Sequence, residues 1–310
     1  MERTDRTPDF FVIGAPRCGT TAISKYLSNN PHICFSKPKE PHFFSIIMRE
    51  KPDADLQNDY LNLFFPHCTE TYQARGEGSV SYLYYPQAIK RIQQINPHAR
   101  FIVMARNPID MIHSYHSRLL AILDEEVEDF ATAWSLQEAR AGGERLPRHC
   151  RTPYLLQYAE IGRIGKQVEQ LFQTAGRENC HVVLFDDFIK DTLSCYRQVL
   201  DFIKVGYDGQ TEFPPVEVSK FYRYRWLHLL LKRPPMKVIE YTLNIEQRAR
   251  RKGKKKPLLK RMRKWLIRKN TVVRKRPPLT QDMRNLLRET FAEDIERLGR
   301  LLDRDLSHWR

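Results

Sequence analysis

The chain has 310 residues, of which 41% are apolar and 29% charged, a length and a balance that favour one large hydrophobic core. It contains no run of about 18 or more apolar residues, so we expect no membrane-spanning helix. Its charged first ten residues lack the apolar stretch that a secretory signal peptide requires, and we expect no such leader.

The net charge of +15 is concentrated in one segment. Between Lys220 and Arg276 there are 22 Lys and Arg residues against two acids, Glu240 and Glu246. The remainder of the chain has 30 bases against 35 acids. A mildly acidic core with one strongly basic segment is therefore predicted, and such a segment favours contact with anionic surfaces.

The six cysteines lie far apart in the sequence, and no CxxC pair occurs among them. This pattern indicates neither a disulfide framework nor a zinc site. We therefore expect a reducing, cytoplasmic setting for the protein.

Short apolar strands alternate with helical patterns along the first two thirds of the chain. The predicted strands are residues 9–14 (DFFVIG), 101–104 (FIVM) and 181–185 (HVVLF). A loop and a helix follow the first strand, a helix with Pro108 in its first turn follows the second, and an amphipathic helix over 161–172 precedes the third. This alternation predicts an α/β fold with a parallel β-sheet flanked by helices.

The character of the sequence changes between about residues 213 and 276. Aromatic residues and bases are mixed there, and a low-complexity basic run, RARRKGKKK, lies in the middle. We interpret this stretch as a basic, mostly helical insertion. The chain then returns to one helix whose apolar residues fall near a single face: Leu286, Phe291, Ile295, Leu298 and Leu302.

A glycine loop from Gly14 to Thr21 (GAPRCGTT) directly follows the first strand and opens a helix. Backbone amides and a helix N-terminus at such a junction form a cradle for an anion. The glycine spacing is that of a P-loop, but Thr20 stands where GxxxxGK[ST] has its Lys. The cation lies inside the loop instead, at Arg17, which favours a smaller anion that is bound without a metal ion.

With these residues the chain resembles the PAPS-dependent sulfotransferases, where PAPS is 3′-phosphoadenosine 5′-phosphosulfate. Arg17 to Thr21 resemble the 5′-phosphosulfate loop of that family, and Arg106 with Ser114 resemble its 3′-phosphate motif. Two separated anionic ends of one donor require two clusters of hydrogen-bond donors. The resemblance implies PAPS as donor, no metal, and these donor-binding residues: Ala15, Pro16, Arg17, Cys18, Gly19, Thr20, Thr21, Arg106 and Ser114.

Further segments resemble carbohydrate sulfotransferases, especially the heparan-sulfate type. Lys39 to Phe44 (KEPHFF) is similar to their KExxFF element, which implies Glu40 as the general base, with His42 as the rival candidate. Residues 77–82 (EGSVSY) are similar to their EKSPSY segment, although Gly78 replaces the usual Lys. A base from the basic segment, such as Arg223 or Arg225, is a candidate replacement for that cation.

The resemblance implies one sulfotransferase domain over residues 1–310, with its core in 9–205 and 277–310 and the basic insertion in about 213–276. Sulfuryl transfer is an in-line displacement that, like phosphoryl transfer, needs positioning, charge neutralisation and deprotonation of the nucleophile. Arg17 is the expected catalytic cation and Glu40 the expected base. The implied acceptors are hydroxyl or amine groups of a carbohydrate, a glycolipid or a small molecule.

Two alternatives come from other functional classes. A nucleotide-dependent phosphotransferase such as a kinase shares the P-loop spacing, but it requires Mg²⁺ and the missing Lys. An anionic-surface binding module is suggested by residues 220–276, which predict contact with an anionic membrane or another polyanion and no specific recognition of nucleic acid. This second activity is compatible with catalysis, and it predicts a cytoplasmic protein that lies peripherally at a membrane.

Overall fold

The computed structural model describes residues 7–47, 54–150, 152–215, 220–232, 258–273 and 276–310. Five parallel strands form its main sheet in the order β2-β3-β1-β4-β5. Their bounds are β1 Phe10–Gly14, β2 Ile33–Phe35, β3 Ala74–Gly78, β4 Arg100–Ala105 and β5 Cys180–Leu184. The predicted parallel α/β fold is confirmed, and the three predicted strands are β1, β4 and β5.

Helices cover both faces of the sheet, which is why the side chains of β1 are at most 1% exposed from Phe10 to Ile13. The helices are α1 Thr20–Asn29, α2 Ala54–Phe64, α3 Pro86–Ile95, α4 Pro108–Ile122, α5 Phe130–Ser135, α6 Gln137–Ala141, α7 Tyr158–Gly162, α8 Ile164–Ala175, α9 Phe185–Lys190, α10 Thr192–Ile203, α11 Arg225–Lys232, α12 Leu258–Asn270 and α13 Gln281–Leu302. Among the described residues, none of these helices is both long and apolar enough to cross a bilayer.

Local sequence signals set the start of the helices that matter for the site. Pro108 occupies the first turn of α4, and the side chain of Asn107 accepts a hydrogen bond from the backbone N–H of Ile109 at 3.0 Å. Thr280 caps α13 in the same way through the N–H of Met283 at 3.2 Å. On α13, Phe291, Ile295 and Leu298 of the predicted face are buried, whereas Leu286 is 43% exposed and Leu287 is buried instead.

The strand order creates a crevice between β1 and β4. The chain leaves β1 toward β2 on one side of the sheet, and it leaves β4 toward β5 on the other side. Ligands of open α/β sheets bind at the carboxyl ends of the strands at such a reversal point. The glycine loop follows β1 and Arg106 follows β4, so both face this crevice.

The described part of the basic segment is not only helical. Strands β6 (Lys220–Tyr222) and β7 (Thr271–Val273) pair antiparallel and hold the ends of α11 and α12 together. The low-complexity run RARRKGKKK lies outside the described residues. The prediction of a helical insertion therefore missed a small two-stranded sheet, because its strands are 48 residues apart and carry no alternating pattern.

A disulfide joins Cys34 in β2 to Cys68 in the turn after α2, with a Cα–Cα distance of 5.7 Å. The expectation of no disulfide is wrong, because spacing along the sequence does not reveal that an edge strand and a distant turn meet. Cys18, Cys150, Cys180 and Cys195 are free. The cytoplasmic setting rested partly on that expectation and stays a prediction.

We expect the unreduced protein to titrate four thiols in denaturant and all six after reduction. The bond closes a loop of 34 residues, so the change Cys34→Ser with Cys68→Ser should lower the free energy of unfolding by about 3–4 kcal/mol. Urea unfolding without reductant measures this loss, with Cys150→Ser as the control that keeps the bond. Six reactive thiols in the unreduced wild type would contradict the pairing.

Candidate active site

The glycine loop is shaped by its neighbours at the end of β1. The N–H of Ala15 donates to the carbonyl oxygen of Met104 at 2.8 Å, which fastens the loop to β4. Gly19 has a φ of 93°, in the left-handed region that favours glycine. A Cβ at Gly19 would lie 3.1 Å from the ring of Phe185. Thr20 then begins α1, so the N-terminus of that helix opens into the loop.

The two predicted anion motifs meet in the structure. The Nε of Arg17 donates a hydrogen bond to the hydroxyl of Ser114 at 3.0 Å across 97 residues of sequence. Ser114 is buried in the second turn of α4. The guanidinium of Arg106 lies 4.8 Å above the ring of Phe185, and 3.6 Å from the carboxylate of Asp110. The two motifs thus place hydrogen-bond donors and positive charge together in one crevice.

Arg276 is a third cation at this site, and no sequence motif predicts it. Its Nη1 is buried without a hydrogen-bond partner among the described residues. Burial and then the charges of Arg106 and Arg17 lower the pKa of its guanidinium. Burial and then the charge of Arg276 also lower the pKa of His113 to about 4. Arg276 stands where the basic segment ends and the core sequence resumes, which is the signal that could have identified it. It was not distinguished because the segment contains 22 bases.

Cys18 lies inside the loop with its side chain fully buried. Burial raises the pKa of its thiol to about 12, although the charges of Arg106 and Arg17 act in the opposite direction. The thiol therefore stays protonated at neutral pH, and it donates weakly to the carbonyl oxygen of Pro16 at 3.5 Å. A protonated thiol is not a nucleophile, so the side chain fills space while the backbone of the loop faces the crevice.

The loop with Glu40 lies beside the glycine loop, because β3 is the neighbour of β1 in the sheet. The N–H of Glu40 donates to the carbonyl oxygen of Gly78 at 2.9 Å, and the N–H of His42 donates to the hydroxyl of Ser79 at 3.0 Å. Both contacts fix the loop to the carboxyl end of β3. Glu40 and His42 have positive φ values of 62° and 53°, and strained backbone of this kind clusters at functional sites.

The carboxylate of Glu40 is surrounded by positive charge. Lys39 donates to it at 2.7 Å, and the Nε2 of His42 lies 3.9 Å from its other oxygen. Burial alone would raise the pKa of Glu40, but the charge and hydrogen bond of Lys39, with the charges of His42 and Arg118, lower it overall. The carboxylate is thus ionised at neutral pH. His42 also lies 2.7 Å from the hydroxyl of Ser81, so both candidate bases are within this one cluster.

The absence of a side chain at Gly78 has a steric cause. A Cβ there would lie 2.9 Å from the hydroxyl of Ser24 and 3.5 Å from Cε of Lys39. Lys39 therefore occupies the side of β3 where the resemblance predicts a Lys at position 78. Arg223, one candidate replacement, is exposed, and the side chain of Arg225, the other, lies outside the described residues.

A buried carboxyl group in β3 supports the loop that contains Glu40 and His42. Glu77 is fully buried in β3, and it accepts hydrogen bonds from the hydroxyls of Tyr60 at 2.5 Å and Ser79 at 2.6 Å. Burial raises the pKa of Glu77 to about 7, and these hydrogen bonds only partly oppose the effect. Because Ser79 also accepts from His42, the Glu77 cluster connects the core to the Glu40 loop.

Among the described residues, one group could ligate a metal ion. It consists of Cys34, His67 and Cys68, whose ligand atoms lie within 4.8 Å of one another. The two sulfur atoms are bonded to each other in the disulfide, so they are not thiolate ligands in this form. The group also lies on the edge strand, away from the crevice between β1 and β4.

Comparison with known proteins gives consistent matches. A protein-family model, described as the sulfotransferase family, matches residues 8–209 of this chain. The human bifunctional heparan sulfate N-deacetylase/N-sulfotransferase 3 is 28% identical over 148 residues, which cover 47% of this chain and 16% of that protein. The solved structure of a sulfotransferase from Alicyclobacillus acidocaldarius has a TM-score of 0.65 and 26% identity, and the match covers 98% of this chain and 99% of that one. The chain thus spans about a sixth of the human relative's length.

We expect the ionisation of Glu77 to contribute a fall in the free energy of unfolding as pH rises, which comparison with Glu77→Gln separates from the opposite contribution of His113. The pKa of about 7 in the fold, against 4.5 ordinarily, means that the fold favours the protonated carboxyl. The contribution is complete below pH 4.5, and up to about 3 kcal/mol is lost as pH rises to 7. Glu77→Gln should remove this dependence in urea unfolding at pH 5 and 7, whereas the exposed control Glu289→Gln should retain it. Identical pH dependence in Glu77→Gln and wild type would refute the assignment.

Proposed function

Because the chain belongs to the sulfotransferase family, we propose that it transfers a sulfuryl group from PAPS to a hydroxyl or amine of a carbohydrate or another small or lipid-linked acceptor. The observation that carries this proposal is the convergence of Arg17, Arg106 and Arg276 on one crevice, where the Nη1 of Arg276 is buried without a partner. Three guanidinium groups together, opposed by the half-exposed Asp110, form a site for a strongly anionic ligand.

The donor is proposed to bind with one anionic end at each motif. The 5′-phosphosulfate lies on the backbone amides of residues 15–21, at the N-terminus of α1, where the partial positive charge of the helix favours an anion. The 3′-phosphate is bound by Arg106, Ser114 and Arg276. Arg17 bridges the two ends, since its guanidinium belongs to the loop and bonds to Ser114.

Transfer then needs a base and a cation in line with the sulfur. Glu40 accepts the proton of the acceptor hydroxyl or amine, the acceptor atom forms a bond to sulfur, and the bond from sulfur to the bridging oxygen breaks. Adenosine 3′,5′-bisphosphate leaves with that oxygen, and Arg17 neutralises the charge that develops there. Glu40 is suited to the first step because it is ionised at neutral pH.

The acceptor is proposed to approach between the Glu40 loop and the basic segment. Burial raises the pKa of Tyr222 and the charge of Arg118 opposes this effect, while the same charge helps to lower the pKa of Glu40, so Arg118 on α4 acts on both groups. A carbohydrate acceptor is supported by the name of the human relative, which acts on heparan sulfate. We also propose that the protein is cytoplasmic and that its residues 220–276 contact an anionic partner.

Adenosine 3′,5′-bisphosphate should bind without added metal and raise the melting temperature, because a ligand of the native state stabilises it. Arg106→Ala and Arg276→Ala should each weaken binding by about 1.5–3 kcal/mol in calorimetry, since each removes a charge-assisted contact. The exposed Arg148→Ala is the control and should bind as the wild type does. Equal binding of ATP with Mg²⁺, with no preference for the 3′-phosphate, would favour a phosphotransferase instead.

Glu40→Gln should leave the affinity for adenosine 3′,5′-bisphosphate nearly unchanged and reduce turnover by roughly 10²–10⁴, the usual contribution of a positioned base. Transfer of labelled sulfate from PAPS, screened against sugar, phenol and lipid acceptors, provides the assay. The exposed Glu144→Gln is the control for loss of one negative charge. Wild-type turnover in Glu40→Gln under conditions where chemistry limits the rate would assign the base to His42.

A further inference from the structure

The two helices of the basic segment form a unit that is attached to α4. The backbone N–H of Tyr224 donates to the side chain of Asn270, and the amide of Asn270 donates to the carbonyl oxygen of Tyr224 at 2.8 Å. His228 is fully buried, lies 3.2 Å from the carbonyl oxygen of Ala121 in α4, and stacks on Tyr222. The inner side of the unit is thus attached to the helix that carries Ser114.

Large apolar side chains protrude from the same unit. Leu230 is 53% exposed, Met262 50% and Trp265 55%. Met262 and Trp265 are three residues apart on α12, so they share a face of that helix. The Nε of Arg263 donates to the carbonyl oxygen of Leu231 at 2.6 Å, which joins α11 to α12 next to Leu230 and Met262. Met262 and Trp265 therefore lie on one face of α12, and Leu230 is next to the residue of α11 that Arg263 joins to that helix, whereas soluble proteins rarely group such residues without a partner.

Exposed bases accompany this apolar surface. Arg268 and Lys269 follow Trp265 by three and four residues on α12, and both are exposed. They lie on the same side of the helix as Trp265. The whole segment has 22 bases against two acids. A partner of this surface must therefore offer negative charge together with an apolar interior.

We propose that Leu230, Met262 and Trp265, with Arg268 and Lys269, form a docking surface for an anionic lipid bilayer. Amphipathic helices with bases beside Trp and Leu bind in the plane of such bilayers, because headgroups attract the bases while the apolar side chains enter the acyl boundary. Nucleic acid is the less suitable partner, since contacts with phosphates gain nothing from exposed Leu and Met. The association depends on neither donor nor acceptor, so it stands or falls separately from the proposed transfer activity.

The test is co-sedimentation of the full chain with vesicles of phosphatidylcholine alone or with about a third phosphatidylserine. Wild type should bind the anionic vesicles only, and binding should fall steeply as NaCl rises from about 0.05 to 0.5 M. The triple change Leu230→Ser, Met262→Ser and Trp265→Ser should weaken binding by roughly 10-fold or more. A matched control at exposed apolar positions elsewhere, Leu63→Ser with Ile189→Ser and Leu286→Ser, should bind as wild type does.

A second pair of variants isolates the charge. Arg268→Gln with Lys269→Gln should weaken binding several-fold at low salt, whereas Lys90→Gln with Lys190→Gln, which removes the same charge from exposed positions elsewhere, should not. Adenosine 3′,5′-bisphosphate should still raise the melting temperature of every variant, which shows that each remains folded. Tryptophan emission should shift to shorter wavelength on addition of anionic vesicles, and Trp265→Phe should abolish the shift.

Three outcomes overturn the proposal. The first is binding to neutral and anionic vesicles alike, and the second is full binding by the folded triple serine variant. The third is that wild type and the triple variant bind double-stranded DNA equally well, and as tightly as wild type binds anionic vesicles. That result would identify a general polyanion surface without an apolar component.

Discussion

Positive charge that is concentrated where the sheet reverses direction is the constraint on which the site depends. Arg17, Arg106 and Arg276 reach this crevice from three distant parts of the chain. Burial of Arg276, and then the charges of Arg106 and Arg17, lower the pKa of its guanidinium. Guanidinium groups cannot relieve such repulsion by losing a proton near neutral pH. The fold must therefore hold them together by other means, and an anion that binds there recovers the electrostatic cost.

The buried strands help to hold these arginines in place. β1 is central and apolar, so the glycine loop starts from a rigid position, and Ala15 bonds it to Met104 at the end of β4. Ser114 holds the side chain of Arg17 from α4, whose start is fixed by Asn107 and Pro108. Donors that rigid elements position in this way need little reorganisation when charge develops between them.

The sequence was informative where signals are local. Apolar runs predicted β1, β4 and β5, and the motifs predicted Arg17 and Ser114, which do meet. β3 escaped prediction because ARGEG resembles a polar loop; it is a buried strand since Tyr60 and Ser79 satisfy the carboxyl of Glu77. Arg276 and the Cys34–Cys68 bond escaped because each depends on contacts between segments far apart in the chain. Spacing along one sequence does not specify such contacts.

The proposed donor and acceptor sides of the site also differ in whether local motifs or distant segments form them. On the proposed donor side, short motifs at strand ends predict the glycine loop and two of the three cations, Arg17 and Arg106. On the proposed acceptor side, the charge of Arg118 on α4 acts on both Glu40 and Tyr222, and Tyr222 stacks on the ring of His228. The proposed donor therefore rests on local motifs, whereas the proposed acceptor depends on contacts between segments that lie far apart in the chain.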